Sequence, residues 1–442
     1  MKKNKMGKVK KNISWILIQN IYTMIIGMII TGIVARHYGT EGYGIINFGT
    51  SFVSLFSFIA IFGTNHIIIN DFTKNESNAG IILKTNLIVR IILSVIALIV
   101  CQTAATIMYN DSTIRLIVFL FNINTILSCS DVITYYAQSK IKNKYISICK
   151  IISFTVLSIL KIIVISYNLN IIYLISTYLI ETIIYSILLI FSFKKIKDKD
   201  EVIIYKFDKS YAKTLIKRSK YFALSSLMVT IYLKIDQVML GTFFTDKSVV
   251  GIYAAAVKIS ELWTFVPISV ITSFKPIVIE CKSKNNDLAY KKNLQKLYNI
   301  VSLICFIFLI GIIIFGKLGI HIIYGKSYYE AYLPLIILTI GIWFGVLGNI
   351  HYIWMTCENK EKYSTIYSLV GCVTNIILNA ILIPKYSYYG AAIATLISQT
   401  ASNIIVFELI PKARIIAMMA LKSLNIFNGI KELKNNNKIF KL

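Results

Sequence analysis

The sequence predicts an all-α membrane protein with about 12 transmembrane helices, arranged as two six-helix lobes around a central cavity. Hydrophobic residues make up 56% of the 442 residues and charged residues only 15%, whereas a soluble domain is roughly 45–50% apolar and about 25% charged. The apolar residues form continuous runs that are long enough to cross a bilayer as helices. These observations exclude a soluble enzyme and a secreted disulfide module. Apolar and polar residues do not alternate along these runs, which disfavours a β-barrel.

Twelve apolar runs are candidates for the membrane spans. The first run, Ile13–Ala35, follows a basic N-terminus. It is long for the core of a signal peptide and no small-residue cleavage site follows it, so we interpret it as an uncleaved span. The predicted spans cover residues 13–35, 43–69, 86–109, 114–136, 146–166, 171–193, 219–243, 249–274, 298–315, 331–357, 364–384 and 388–410.

Basic residues are distributed unequally between the two sides of the membrane that these spans define. The connecting segments on one side, which include both termini, contain 35 Lys and Arg residues, whereas the segments on the other side contain 5. Cytoplasmic loops of membrane proteins are enriched in Lys and Arg. The pattern therefore places both termini in the cytoplasm. It also accounts for the net charge of +27 without a nucleic-acid partner.

The chain divides into two similar halves. The longest inner segment is basic and lies at the middle of the sequence, and a shift of 207 residues places Gly44-Ile45 on Gly251-Ile252. Parallel halves of this kind suit a transporter. We predict an N-terminal lobe at 1–193, a basic cytoplasmic linker at 194–218, a C-terminal lobe at 219–411 and a basic cytoplasmic tail at 412–442. The linker and the tail fit either interfacial amphipathic helices or solvated loops.

Four charged residues lie deep inside predicted spans. Lys234 and Asp236 belong to the seventh span, and Lys258 and Glu261 to the eighth. Such charges cost about 2.5–3.5 kcal/mol each on insertion scales and usually pair with one another or serve a transport pathway. Lys258 and Glu261 share a helix face and can form an ion pair. The four residues indicate either contact with substrate or a coupling ion, or a structural ion-pair network.

Two further charged residues are candidates in the first half. Glu181 is the most central acid there and is a candidate proton carrier. Arg36 lies at the outer end of the first span, where a capped interfacial turn is an equal alternative. Other basic residues lie within reach of a span end, and we interpret them as snorkelling side chains: Arg90, Arg115, Lys150, Lys161 and Lys220.

The sequence contains no pattern that predicts an enzyme or a cofactor. It has no Gly-Lys phosphate loop, no H-E-x-x-H motif and no nucleophile elbow. Its seven cysteines form no C-x-x-C pair, and most of them lie in apolar runs. A transporter without a nucleotide site must take its energy from an ion gradient, a partner or the gradient of its own substrate.

Two stretches give the sequence a resemblance to a known family. Ala35-Arg36, Gly39 and Tyr43-Gly44 follow the first span, and Ile235–Gly241 with Val250–Pro267 opens the second half. In these stretches the chain resembles the Wzx-type flippases of polysaccharide repeat units, including O-antigen units, which belong to the multidrug/oligosaccharidyl-lipid/polysaccharide exporter superfamily. The second stretch is the more specific of the two.

The resemblance implies two six-helix lobes around a cationic cavity in a bacterial inner membrane. It implies that an undecaprenyl-diphosphate-linked oligosaccharide passes from the inner to the outer leaflet, with polysaccharide polymerase and chain-length proteins as partners. Fixed cations would bind the diphosphate, because charges couple strongly in a medium of low dielectric constant. Candidates for substrate contact are Arg36, Lys234, Lys258 and, through stacking on sugar rings, Trp263. Candidates for coupling to H⁺ or Na⁺ are Asp236, Glu261 and Glu181.

Three other classes of protein remain as alternatives. A cation-coupled drug antiporter of the same superfamily would favour acidic residues in the cavity, whereas the matched stretch places Lys258 beside Glu261. A polysaccharide polymerase or ligase usually has a large outer loop, which the predicted topology lacks. Buried charges count against a structural membrane scaffold.

Overall fold

The computed structural model describes residues 2–74, 78–197, 205–360 and 362–434, and these residues form helices and turns with no strand. The predicted all-α membrane class is confirmed. The chain divides into two compact units, Met1–Ile235 and Asp236–Leu442. The division falls inside a helix, between two residues of the seventh predicted span. Parts of the predicted linker and tail, residues 198–204 and 435–442, lie outside the described residues.

The first unit consists of long helices joined by short turns. Its apolar core surrounds Phe72 and Tyr136, whose rings pack edge to face with centroids 5.3 Å apart. The helices are α1 (Lys2–Ile61), α2 (Thr64–Lys74), α3 (Ala79–Met108), α4 (Ser112–Leu127), α5 (Val132–Ser139), α6 (Asn143–Ser166), α7 (Ile171–Ile196) and α8 (Lys209–Phe243), which continues into the second unit; a 3₁₀ turn, Ser128–Asp131, separates α4 from α5.

Helix α1 contains an internal break at Gly39. Its 60 residues would extend for about 90 Å as a straight helix, roughly three times the thickness of the hydrocarbon core. Gly39 has φ 69° and ψ −174°, a conformation that essentially only glycine adopts. The break lies in the predicted connection between the first two spans, so α1 supplies two helical arms.

The second unit also consists mainly of long helices joined by short turns. One apolar core of this unit includes Trp343, Trp354 and Phe407. The helices after α8 are α9 (Ser248–Leu262), α10 (Phe265–Ser283), α11 (Asp287–Ile323), α12 (Tyr332–Cys357), α13 (Lys362–Thr400), α14 (Val406–Leu409), α15 (Arg414–Ser423) and α16 (Ile426–Lys434); a π-helical turn, Ala401–Ile405, joins α13 to α14.

Two breaks in the second unit follow from its sequence. The eighth predicted span is interrupted between α9 and α10 at Trp263 and Thr264. This is the position where Pro267 cannot donate a hydrogen bond four residues back. Helix α13 turns at Ser387, which has φ 51° and ψ −134° and follows Pro384. The two arms of α13 pack tightly, because a Cβ on Gly390 would lie 2.4 Å from the carbonyl oxygen of Leu382.

Ten helical segments in the described part of the chain are long and apolar enough to cross a membrane. The longest two, Lys11–Ile61 with 51 residues and Tyr363–Leu409 with 47 residues, each contain one of these breaks and exceed twice the roughly 20 residues that one crossing needs. The chain is therefore a multi-pass membrane protein. The number of twelve crossings and the cavity between two lobes stay predictions.

Candidate functional site

A buried carboxylate, Asp236, is the centre of the best-defined polar cluster in the second unit. Asp236 lies in α8 and is 6% exposed. Its oxygens accept hydrogen bonds from the Tyr253 hydroxyl at 2.5 Å, the Thr395 hydroxyl at 2.6 Å and the Asn379 amide at 2.6 Å. The Asn379 amide also donates to Asn375 at 3.1 Å. Three helices, α8, α9 and α13, thus contribute to one cluster.

The turn in α13 assembles this cluster. Asn379 and Thr395 are 16 residues apart, which corresponds to about 24 Å along a straight helix. Because α13 reverses near Ser387, a residue from each arm reaches the same carboxylate. The lack of a side chain at Gly390 permits the two arms to approach each other at Leu382. The turn in α13 therefore determines where these hydrogen-bond donors lie around Asp236.

All three hydrogen-bond donors to Asp236 are neutral. No Lys, Arg or His nitrogen in the described ranges lies within 4 Å of the carboxylate. Buried carboxylates are costly unless their charge is neutralised. Two amide atoms in the cluster, Asn375 Nδ2 and Asn379 Oδ1, are buried without a hydrogen-bond partner. The cluster thus offers carboxylate, amide and hydroxyl oxygens, which are the ligands that hard cations prefer.

The other predicted charged residues of the seventh and eighth spans are more accessible than Asp236. Lys234 is half-buried, and Lys258 and Glu261 are exposed. The anticipated ion pair between Lys258 and Glu261 does not form, because no contact below 4 Å joins them. The cluster around Asp236 therefore includes none of these three side chains.

Trp263 and Arg36 lie in contrasting environments. Trp263 is 5% exposed and stacks on Phe308, with ring centroids 5.1 Å apart and an interplanar angle of 17°. It belongs to the apolar core of the second unit. Arg36 is exposed in the first arm of α1, three residues before the break at Gly39. The structure thus gives Trp263 a packing role and leaves Arg36 accessible.

Glu181 has a basic partner. Its Oε1 lies 3.1 Å from the ammonium nitrogen of Lys150, which also lies 5.0 Å from the centre of the Tyr185 ring. The side chain of Glu181 is 12% exposed and that of Lys150 is 38% exposed. Glu181 therefore differs from Asp236, since an ammonium group already compensates its charge.

The snorkelling interpretation is wrong for two of the basic residues. Arg90 is 3% exposed and Lys161 is 7% exposed, so both side chains are enclosed by protein. The ammonium nitrogen of Lys161 lies 3.8 Å from the centre of the Tyr178 ring, an arrangement that stabilises a cation. Two nitrogens of Arg90, Nε and Nη1, have no hydrogen-bond partner. The interior of the first unit thus contains cations that sequence position alone assigned to the membrane surface.

Sequence reasoning identified Asp236 but missed its neighbours. Asn375, Asn379 and Thr395 carry no charge, so a search for intramembrane charges passes over them. A usable signal is present, because Asn375 and Asn379 are two amides one helical turn apart in an apolar run.

Comparison with protein families gives two matches. The model of the family described as polysaccharide biosynthesis protein matches residues 9–282, which is more than half of the chain. The model of the MatE family matches residues 222–381.

Two individual proteins with similar sequences support the same family assignment. The chain is 24% identical over 395 residues to the capsular polysaccharide biosynthesis protein CapF of Staphylococcus aureus, covering 88% of this chain and 96% of CapF. It is 28% identical over 217 residues to the probable flippase AglR of Haloferax volcanii, covering 46% of this chain and 43% of AglR. The chain thus spans less than half the length of AglR.

Solved structures show the fold. An inward-facing MATE family multidrug transporter of the MOP superfamily superposes with a TM-score of 0.70 at 12% identity, covering 95% of this chain and 96% of that one. The lipid II flippase MurJ superposes with a TM-score of 0.69 at 16% identity, covering 95% and 93%. The chain therefore belongs to the polysaccharide biosynthesis protein family and is a multi-pass membrane protein with the fold of MOP-superfamily transporters.

Proposed function

We propose that this protein moves lipid-linked oligosaccharides across a membrane for the assembly of a surface polysaccharide. The observation that carries the proposal is the family match together with the similarity to CapF over 96% of that protein's length. AglR and its haloarchaeal relative Agl15 are named as probable flippases, and MurJ as a lipid II flippase. These names describe transport and not catalysis, in agreement with the prediction that the chain is not an enzyme.

The specific cargo in this proposal is an undecaprenyl-diphosphate-linked repeat unit, such as that of O-antigen. It would pass from the inner to the outer leaflet of a bacterial inner membrane, with both termini of the protein in the cytoplasm. Arg36, Lys234 and Lys258 are the proposed contacts for the diphosphate. Arg36 and Lys258 are exposed and Lys234 is half-buried, so none of them is enclosed in an apolar core.

Asp236 is the proposed coupling residue. Its charge is buried among neutral donors, so binding of H⁺ or Na⁺ would remove a large electrostatic penalty. A proton would convert the carboxylate into a neutral group. A sodium ion would take oxygen ligands from Asp236, Asn375, Asn379 and Thr395. Either ion could drive transport by favouring one of the conformations in which the site is formed.

Reconstitution into liposomes tests both parts of the proposal. The vesicles contain a fluorescent undecaprenyl-diphosphate oligosaccharide, and its appearance in the opposite leaflet is followed with and without an imposed proton or sodium gradient. Protein-dependent translocation is expected, and one of the two gradients should accelerate it. Absence of translocation would contradict the proposed cargo. Translocation that neither gradient changes would contradict the coupling role of Asp236.

A cation-coupled drug antiporter is the second candidate. The match of residues 222–381 to the MatE family and the TM-score of 0.70 with a MATE transporter favour it. The same vesicles distinguish the two functions. An antiporter would exchange a cationic dye for protons or sodium ions and would leave the lipid-linked oligosaccharide in its original leaflet.

A further inference from the structure

A cavity of about 250 Å³ lies in the second unit, where three connecting segments meet. It is bounded by the connection from α10 to α11, by the end of α12 with Lys360, and by the segment that leads into α15. Each of these segments belongs to the basic side of the predicted topology, which we expect to be cytoplasmic. The cavity is separate from the cluster around Asp236, because no residue of that cluster lines it.

Cations outnumber anions around this cavity. Its lining includes four lysines and two acids, Asp287 and Glu358. The ammonium nitrogen of Lys282 contacts both acids, at 2.8 Å from Glu358 Oε1 and 3.3 Å from Asp287 Oδ1. The other three lysines have no carboxylate oxygen within 4 Å in the described part of the chain: Lys291, Lys360 and Lys412. An anion in this cavity would therefore relieve the mutual repulsion of ammonium groups.

Buried side chains form the inner wall of the cavity. Trp354 is 4% exposed, and the ammonium nitrogen of Lys360 lies 4.8 Å from the centre of an indole ring that stabilises it. Ile416 and Met419 of α15 also line the cavity and belong to the apolar core that contains Trp354. A wall of this kind shields a bound anion from water on one side. Its attraction to the ammonium groups is then stronger than at an open surface.

Exposed apolar side chains lie next to the cavity. Leu288, which follows Asp287 in the chain, is 85% exposed, and Leu409 at the end of α14 is 75% exposed. Met418 and Leu421 of α15 are also exposed, although their neighbour Met419 is buried. Lipid acyl chains would cover such residues, whereas water would leave them unfavourably hydrated. The surroundings of the cavity therefore suit a lipid better than a soluble anion.

We propose that this cavity binds the phosphate group of an anionic phospholipid, with Lys291, Lys360 and Lys412 in contact with the phosphate. The acyl chains would lie against the exposed apolar residues beside the cavity. Lysine binds phosphate as a point charge, and basic pockets on the cytoplasmic side of membrane proteins bind lipid head groups. A soluble phosphorylated molecule offers the same phosphate chemistry, so the experiment separates the two sources. The ligand is a lipid other than the cargo, and the proposal is independent of the proposed function.

Native mass spectrometry of the full-length protein, released from neutral detergent micelles, tests the proposal. It resolves free and lipid-bound protein, so a titration with phosphatidylglycerol gives the affinity for the first lipid bound. We expect this affinity to fall at least about 30-fold in a variant that combines Lys291→Gln, Lys360→Gln and Lys412→Gln.

A matched control removes the same number of charges elsewhere in the second unit. It combines Lys292→Gln, Lys422→Gln and Lys431→Gln, which change exposed lysines that do not line the cavity. We expect its affinity to fall less than about threefold, because exposed charges away from the ligand are screened. Equal losses in the two triple variants would indicate general electrostatic attraction and would overturn the inference.

Two further ligands identify the source of the phosphate. Phosphatidylcholine has the same phosphate but no net charge, and glycerol 3-phosphate has no acyl chains. We expect the wild type to bind both more weakly than phosphatidylglycerol. Equally tight binding of phosphatidylcholine would refute selectivity for anionic lipids, and equally tight binding of glycerol 3-phosphate would assign the cavity to a soluble molecule. Translocation of the oligosaccharide is measured separately, so none of these results changes the proposed function.

A single substitution keeps the test decisive if the triple variant is unstable. Lys360→Glu places a carboxylate in the cavity, where it can pair with a remaining lysine but repels a phosphate. We expect the affinity for phosphatidylglycerol to fall at least about tenfold. Lys360→Arg keeps a cation above the indole ring of Trp354 and should bind the lipid nearly as tightly as the wild type. Unchanged binding by Lys360→Glu would overturn the inference.

Discussion

The two units of the molecule bury charges of opposite sign in different ways. In the second unit, Asp236 is 6% exposed and accepts hydrogen bonds from three neutral side chains. In the first unit, Arg90 is 3% exposed and its Nε and Nη1 have no hydrogen-bond partner. Asp236 is well hydrogen-bonded but has no cationic partner, whereas Arg90 has unused donors and interacts electrostatically with Asp131.

This difference indicates what each unit can bind. The oxygens around Asp236 suit a small cation, whereas the buried guanidinium of Arg90 attracts negative charge. A transporter coupled to an ion must have two ligands that influence the same conformational equilibrium. We expect the cluster around Asp236 to respond to the ion and the basic residues Arg36, Lys234 and Lys258 to respond to the cargo, so substitutions in the two sets should have separable effects.

The largest effect is expected for Asp236→Asn. The substitution keeps the shape of the side chain and an oxygen ligand but removes the charge that binds a cation. We expect the gradient to stop accelerating transport, so that rates with and without the gradient become equal. The measurement is translocation of lipid-linked oligosaccharide by reconstituted vesicles.

Asp246→Asn is the control for this experiment. Asp246 is exposed, precedes α9 and accepts a hydrogen bond from the Ser248 backbone amide at 2.8 Å. Its loss should leave the gradient response unchanged. A normal gradient response in Asp236→Asn would contradict the proposed coupling role of Asp236.

Gly390→Val should disrupt the site in the second unit without changing any of its ligands. A Cβ at this position would lie 2.4 Å from the Leu382 carbonyl oxygen, so the two arms of α13 must separate. Asn379 and Thr395 could then no longer reach Asp236 together. We expect a large loss of gradient response. Gly319→Val is the control, since a Cβ on Gly319 meets no atom within 4 Å. Similar behaviour of the two variants would contradict the role of the turn.

Much of this fold could be predicted from the sequence, because it depends on continuous apolar runs and on residues that interrupt helices. The break at Gly39 lies between the first two predicted spans, and the interruption of the eighth span lies four residues before Pro267. Hydropathy and backbone stereochemistry are local properties, so a single sequence records them directly.

The candidate sites could be predicted only in part. Asp236 is a charge in an apolar run and was identified, but its partner Thr395 depends on the reversal of α13. Arg90 was assigned to the membrane surface because distance from a span end does not reveal which helices surround a side chain. Trp263 was a candidate for sugar stacking, yet its ring packs against Phe308. Each outcome depends on tertiary packing, which a hydropathy pattern does not specify.

Trp263→Ala tests whether the core of the second unit can be weakened separately from its ion site. Removing a buried Trp side chain typically costs about 3–5 kcal/mol of unfolding free energy. We expect a clear decrease in the thermal unfolding temperature, while the protein that remains folded keeps its gradient response. Trp263→Phe should be much milder, because the indole Nε1 has no hydrogen-bond partner to lose. A selective loss of oligosaccharide binding without loss of stability would restore the stacking role.

Glu181→Gln should have the smallest effect and gives the sharpest contrast with Asp236. Both acids lie within helices, but Lys150 compensates the charge of Glu181 at 3.1 Å, whereas neutral groups surround Asp236. Glu181 is only 12% exposed, so this pair is screened less than ion pairs at a water-exposed surface, which contribute about 0.2–1 kcal/mol. A double-mutant cycle with Lys150→Gln, measured by chemical unfolding, should give a coupling energy at or above the upper end of that range. The gradient response should match that of the wild type, because an acid that already has a cationic partner gains little from binding a second cation. If Glu181→Gln abolishes the response and Asp236→Asn keeps it, the coupling site lies at Glu181 in the first unit and not at Asp236.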